Sequence, residues 1–180
     1  MTPTLIGYIP KRTEKQPYLL EAPGVTEIAS VADCISEAPD NWIQHWRHNS
    51  WWVFSTMALA LSIIPDAEQD QFDLYAYRVF PIRFDAGRSA PFDVRGDEVE
   101  PRDDSFDCLG IDVVSREFDA EFSHSPLSCN YLARERPTNR YCLLDTLESA
   151  LDFATSLAAS KAEPGPYFVV EVWRQRGKKH

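Results

Sequence analysis

"NSWWVFSTMALALSII" (49–64) and "NRYCLLDTLESALDFA" (139–154) align without a gap. Asn49 meets Asn139, Trp51 meets Tyr141, Val53-Phe54 meet Leu143-Leu144, Thr56 meets Thr146, and Ala60-Leu61 meet Ala150-Leu151. Few of these matches are identities. The shared pattern is an apolar run, a capping residue, and an apolar stripe at helical spacing. Further on, "YAYRVF" (75–80) sets against "FVVEVW" (168–173), with Arg78 meeting Glu171. An internal repeat of this kind governs every later assignment, because each unit then predicts the other.

In both halves the stretch predicts a short strand, then a cap, then a helix. Ser55 or Thr56 caps the first helix, and Asp145 the second, with Glu148 three residues on as in a capping box. Met57, Ala60, Leu61 and Ile64 form one stripe, and Leu147, Ala150, Leu151, Ala154, Leu157 and Ala158 form the other. Pro65 closes the first helix and "EPGP" (163–166) follows the second. The aromatic and β-branched runs "DLYAYRVF" (73–80) and "YFVVEVW" (167–173) read as strands. Upstream, "PDNWIQHWRH" (39–48) and "SPLSCNYLARE" (125–135) read as short helices capped by Asp40 and Ser125. "VTEIASV" (25–31) and "LGIDVVS" (109–115) read as strands before them, and "TLIGYIP" (4–10) as an extra first strand.

The expected fold is therefore α/β or α+β, a mixed β-sheet with flanking helices built from two similar β-α-β-α-β halves. Within one domain the halves are 1–82 and 109–175, joined by an acidic connector at 83–108 and followed by a basic tail at 176–180. An approximate two-fold axis between the halves would set the two terminal strands antiparallel, with Arg78 opposite Glu171.

With 180 residues, 44% of them hydrophobic and 12% aromatic, the chain can bury a substantial core. Its net charge of −10 argues against nonspecific nucleic-acid binding and against anionic membrane surfaces, and suits a basic protein partner. Residues 93–107 carry seven acidic and two basic side chains, a net of −5, and read as a solvated loop. The N-terminus lacks a secretory pattern, and no apolar run is long enough to span a bilayer. The cysteines at 34, 108, 129 and 142 lack C-x-x-C spacing and read as reduced thiols in a cytoplasmic protein.

Four of the five tryptophans fall in "WIQHWRHNSWW" (42–52). Trp42 and Trp46 are expected on the short helix, and Trp51 and Trp52 on opposite faces of the strand after it. Trp46, Arg47, His48, Trp51 and Trp52 form a candidate contact site, since Trp and Arg are the residue types that dominate protein interfaces. The acidic residues Asp97, Glu98, Glu100, Asp103 and Asp104 are candidates for engaging a basic partner. His45 and His48 stand three apart, with His124 a distant third, a pattern too weak to predict a metal. "HSPLSCN" (124–130) is explained as a helix start rather than a nucleophile, although a helix N-terminus can lower the pKa of Cys129.

One enzyme arrangement resembles the order of residues here. Mono-ADP-ribosyltransferases combine an Arg or His, a Ser-Thr segment and a Glu late in a strand, and Arg47 or His48, "FST" (54–56) and Glu171 follow that order. Glu171 lacks a Glu or Gln two residues before it, and the Ser-Thr pair aligns with Asp145-Thr146 in the second half. No phosphate-binding or kinase signature occurs. The expected function is a non-catalytic, cofactor-free cytoplasmic protein that masks a basic protein partner, such as a bacterial toxin-neutralising, immunity-type protein, with homodimerisation open. The alternatives are a small enzyme acting on a nucleotide or NAD-type substrate through Arg47, His48 and Glu171, or a small-molecule sensor.

Overall fold

A computed structural model describes residues 1–15, 20–40, 42, 46–94, 98–117, 120–160 and 165–177. The strands are β1 (Thr4–Lys11), β2 (Asp73–Asp85), β3 (Arg88–Pro91), β4 (Phe106–Ser115) and β5 (Tyr167–Gln175). The helices are α1 (Met57–Ser62), α2 (Pro126–Cys129) and α3 (Leu147–Ser160). The sheet runs β1-β2-β5-β4, with β3 paired to β2, and every ladder is antiparallel. The architecture is thus α+β, without the parallel pairs of a mixed sheet among the described residues. No helix among them is long and apolar enough to cross a membrane.

The two aligned stretches fold alike, though not as strands. Each is a turn organised by one asparagine. The Asn49 side-chain amide donates to the Ile6 carbonyl (2.7 Å), and its Oδ1 accepts the amides of Trp51 (2.9 Å) and Val53 (3.4 Å). Asn139 donates to the Leu109 carbonyl (2.8 Å) and accepts the amides of Tyr141 (2.9 Å) and Leu143 (3.3 Å). An Asn side chain imitates a peptide group, so it closes a turn and ties it to the neighbouring strand. Trp52 and Cys142 take left-handed φ values of 59° and 62° in these turns. The runs predicted as strands make only single bridges, Phe54 to Tyr8 and Leu144 to Ile111. At each bridge a glycine lets the strand come close. A Cβ on Gly7 would stand 2.6 Å from the Phe54 carbonyl oxygen, and one on Gly110 2.9 Å from that of Leu144.

The first helix is capped by Thr56, one of the two residues expected, and the second starts one residue later than its capping box suggests. Thr56 and Thr146 accept the amides of Leu59 (3.1 Å) and Ser149 (3.2 Å), while Asp145 instead accepts from Asn139. Ile28 makes only an isolated bridge to Glu14, so "VTEIASV" is not a strand. Of the first short helix, Asn41 and Ile43–His45 lie outside the described residues, and Trp46–Asn49 are not helical. The second survives as α2 and a 3-10 turn at Leu132–Arg134. Within 83–108, β2 extends to Asp85, β3 completes a hairpin, and β4 begins at Phe106.

Side chains along β5 alternate between two buried clusters. Phe168, Val170 and Val172 join Trp51, Phe54, Ala60, Tyr75 and Tyr77, whereas Tyr167 and Val169 join Phe153, Leu157 and Val113. The central strands are therefore covered on both faces. At their crossing Arg78 lies opposite Glu171 in register, and Arg78 Nη1 is 3.0 Å from Glu171 Oε2, as the repeat predicts.

Candidate functional site

The tryptophan-rich stretch splits into buried and exposed parts. Trp51 is 2% exposed and packs edge-on to Phe92 and Phe168, with the Arg116 guanidinium 4.3 Å from its ring centroid. Trp42 is also buried, edge-on to Trp52 with centroids 6.4 Å apart. Trp52 is half-buried and stacks on His48 at 4.5 Å. Trp46 is 77% exposed, and Arg47 beside it is exposed too. The predicted placement of Trp51 and Trp52 on opposite strand faces does not hold, because the segment is a turn: Trp51 enters the core and Trp52 leans out.

Trp42, Trp51 and Trp52 line a small cavity of about 20 Å³, together with Asp33, Glu121 and Tyr77. Tyr77 is 1% exposed, and its hydroxyl has no hydrogen-bond partner among the described residues. Burial pushes the Tyr77 pKa well up, so the hydroxyl stays protonated. A buried hydroxyl is ordinarily satisfied by a protein group or by a small polar molecule beside it. Burial also raises the Glu121 pKa, and the Asp33 charge adds to the rise while Lys11 opposes it. The cavity thus has aromatic walls and two acidic residues at its lining, one of them, Asp33, paired with Lys11. The volume admits one water or one compact charged head rather than a planar guanidinium.

Asp33 sits on a loop held by buried polar groups. Lys11, fully buried, donates to the carbonyls of Ser30 (3.0 Å), Val31 (2.8 Å) and Ala32 (3.0 Å) and pairs with Asp33 at 2.8 Å. Burial pulls the Lys11 pKa down, against the opposing pull of Asp33. Asp112 accepts the Val31 amide (3.0 Å) and the Ser125 hydroxyl (2.7 Å), and burial pushes its pKa up to about 6. Ser125 therefore caps no amide through its side chain. Nothing in the sequence separates Lys11, Asp33, Tyr77, Asp112 and Glu121 from ordinary surface or strand residues. Only the packing of β1, β2, β4 and two loops joins them.

The other predicted residues scatter. Glu171 accepts from Arg78 and from the Trp173 indole (3.1 Å), a structural pairing. Glu100 accepts the Met57 amide at 3.1 Å, at the start of α1, and Asp103 accepts the Ser105 amide at 2.9 Å. Glu98 and Asp104 are exposed, and Asp97 lies outside the described residues, as does His45. Cys34 and Cys129 are joined in a disulfide, where the sequence reading expects four reduced thiols. Burial pushes the remaining thiols up, Cys142 to about 12, so neither is an activated nucleophile.

A roomier cleft of about 770 Å³ lies by Glu27, Cys108, Arg140, Tyr141, Arg174 and Arg176. Its arginines are matched within the chain. Arg140 and Arg174 share Glu27 at 2.5 and 2.9 Å, and Arg176 pairs with Asp107 at 2.9 Å. Arg47, His48 and Glu171 are not among its lining residues. Comparison with known proteins finds no matching family model, curated protein or solved structure.

Proposed function

We propose that the protein is a non-catalytic binding protein for a basic protein partner, with the cavity beside Trp52 receiving one lysine ammonium of that partner. The observation that carries this reading is a cavity lined by Trp42, Trp51, Trp52, Tyr77 and the acidic residues Asp33 and Glu121. Exposed Trp46 and Arg47 beside it, and a net charge of −10, suit the surround of such a contact. Neutralisation of a bacterial toxin is one role of this kind. The equivalent bonds at Asn49 and Asn139 support a further reading, that the halves are copies of one strand-turn-helix-strand unit.

Titration with oligolysine and oligoglutamate peptides, followed by tryptophan emission, tests the proposal. Oligolysine should bind and weaken as salt rises, and oligoglutamate should give no response. Glu121→Gln should weaken oligolysine binding about tenfold, in line with ~1.5 kcal/mol for a charge-assisted bond. Trp46→Ala should weaken binding while leaving the melting temperature unchanged. Equal responses to both peptides would rule the site out.

A further inference from the structure

The loop carrying Asp33 continues into Cys34, which meets a second distant segment. Lys11 fixes the Ser30, Val31 and Ala32 carbonyls from beneath, the Val31 amide donates to Asp112, and the Ala32 amide donates to Ser125 Oγ at 3.1 Å. On the other side, the Ser115 amide donates to the His124 carbonyl at 2.9 Å, and the Cys129 amide donates to the Ser125 carbonyl at 2.8 Å. These bonds place Cys34, His124 and Cys129 without any need for the bond between the sulfurs.

One ligand atom each from Cys34, His124 and Cys129 lies within 4.8 Å of the others. Donors around a tetrahedral zinc, at ~2.3 Å for sulfur and ~2.0 Å for nitrogen, stand roughly 3.5–3.8 Å apart, a spacing the two sulfurs reach only once their bond is opened, with His124 already beside them. His124 Nδ1 is buried and has no hydrogen-bond partner among the described residues. The Ser125 amide donates to Cys129 Sγ at 3.4 Å, a bond that favours the thiolate. Two sulfurs and an imidazole are the donors that zinc-class ions prefer.

We propose that in the dithiol state Cys34, His124 and Cys129 bind a zinc-class divalent ion, with water in the fourth position on the exposed side of Cys34, and that the disulfide is the metal-free oxidised state of the same site. A low-molecular-weight disulfide is the oxidant. It accepts two electrons from the two thiolates and, with two protons from solvent, leaves as two thiols. The Cys34–Cys129 bond forms, and the ion is released. The site is independent of the partner reading above.

The test uses the full chain, reduced by a phosphine, stripped by a chelator and titrated anaerobically with cobalt(II). The expected result is thiolate-to-cobalt charge transfer and tetrahedral d–d bands at one ion per chain, bleached by zinc. Cys34→Ser and Cys129→Ser should each lower the charge transfer and weaken binding, the double variant should lose it, and His124→Ala should weaken binding by roughly tenfold or more. Cys108→Ser should behave as the parent, and the oxidised protein should show no bands. Circular dichroism reports folding throughout. A reduced chain that stays folded and takes no cobalt overturns the proposal, as does one that unfolds and is not restored by cobalt. Charge-transfer bands that survive the Cys34→Ser/Cys129→Ser double variant overturn it as well.

Discussion

Asp112 shows how one residue links burial to pH. Its folded carboxyl titrates at about 6, against ~3.9 in an unfolded chain. The folded state therefore keeps a proton that the unfolded state releases as pH rises from about 4 to 6. The contribution of this group is fully present below about pH 4 and is lost as pH rises through about 6, a change on the order of 3 kcal/mol. Asp112→Asn removes the titration. The unfolding free energy of the parent should fall relative to that of the variant by this amount between pH 4 and pH 7, measured by urea denaturation. A difference constant with pH would show an ordinary carboxyl. Nothing in "LGIDVVS" marks Asp112 as buried, since alternation alone cannot say which face of a strand meets another loop.

At the scale of elements, β2 and β5 are joined by Arg78 and Glu171, 27% and 18% exposed in their side chains. A directly opposed ion pair contributes about 0.2–1 kcal/mol, and reversing one member of a half-buried pair costs more than the pair is worth. Arg78→Glu and Glu171→Arg should each destabilise by about 1–3 kcal/mol in thermal melts. The double swap should recover much of that loss but not all, because Arg78 also donates to the Pro3 carbonyl and Glu171 also accepts from Trp173. Purely additive effects would show that the two charges do not interact. This register was legible in the sequence, because aligning the two terminal strands sets Arg78 against Glu171. The strand at 51–54 was not. An asparagine that closes a turn and an aromatic run that continues a strand look alike until the hydrogen bonds are placed.

For the whole molecule, the Cys34–Cys129 link spans a separation of 95 residues, tying the loop after β1 to α2. Cross-links over such distances typically add about 2–4 kcal/mol by restricting the unfolded chain. Reduction in the presence of a chelator should lower the unfolding free energy by about that much. Cys108→Ser should respond as the parent does, since Cys108 is outside the bond. An unchanged melting curve would show that the loop is held by Lys11 and Asp112 alone.

The sequence by itself determined the elements whose signal is local or repeated. Periodicity set β1, α1, β2, α3 and β5, Thr56 stood among the candidates for the first cap, and Arg78 against Glu171 was expected in the central register. Hydrophobic spacing and repetition are properties of the chain that packing had no reason to override. Tertiary structure alone decided the rest. It turned Trp52 outward beside His48, brought Asp33, Tyr77 and Glu121 to one cavity, and set Cys34 against His124 and Cys129. Those groups come from segments far apart in sequence, each stretch uninformative alone. Their chemistry exists only because antiparallel pairing and the buried Lys11 and Asp112 bring the segments within hydrogen-bonding distance.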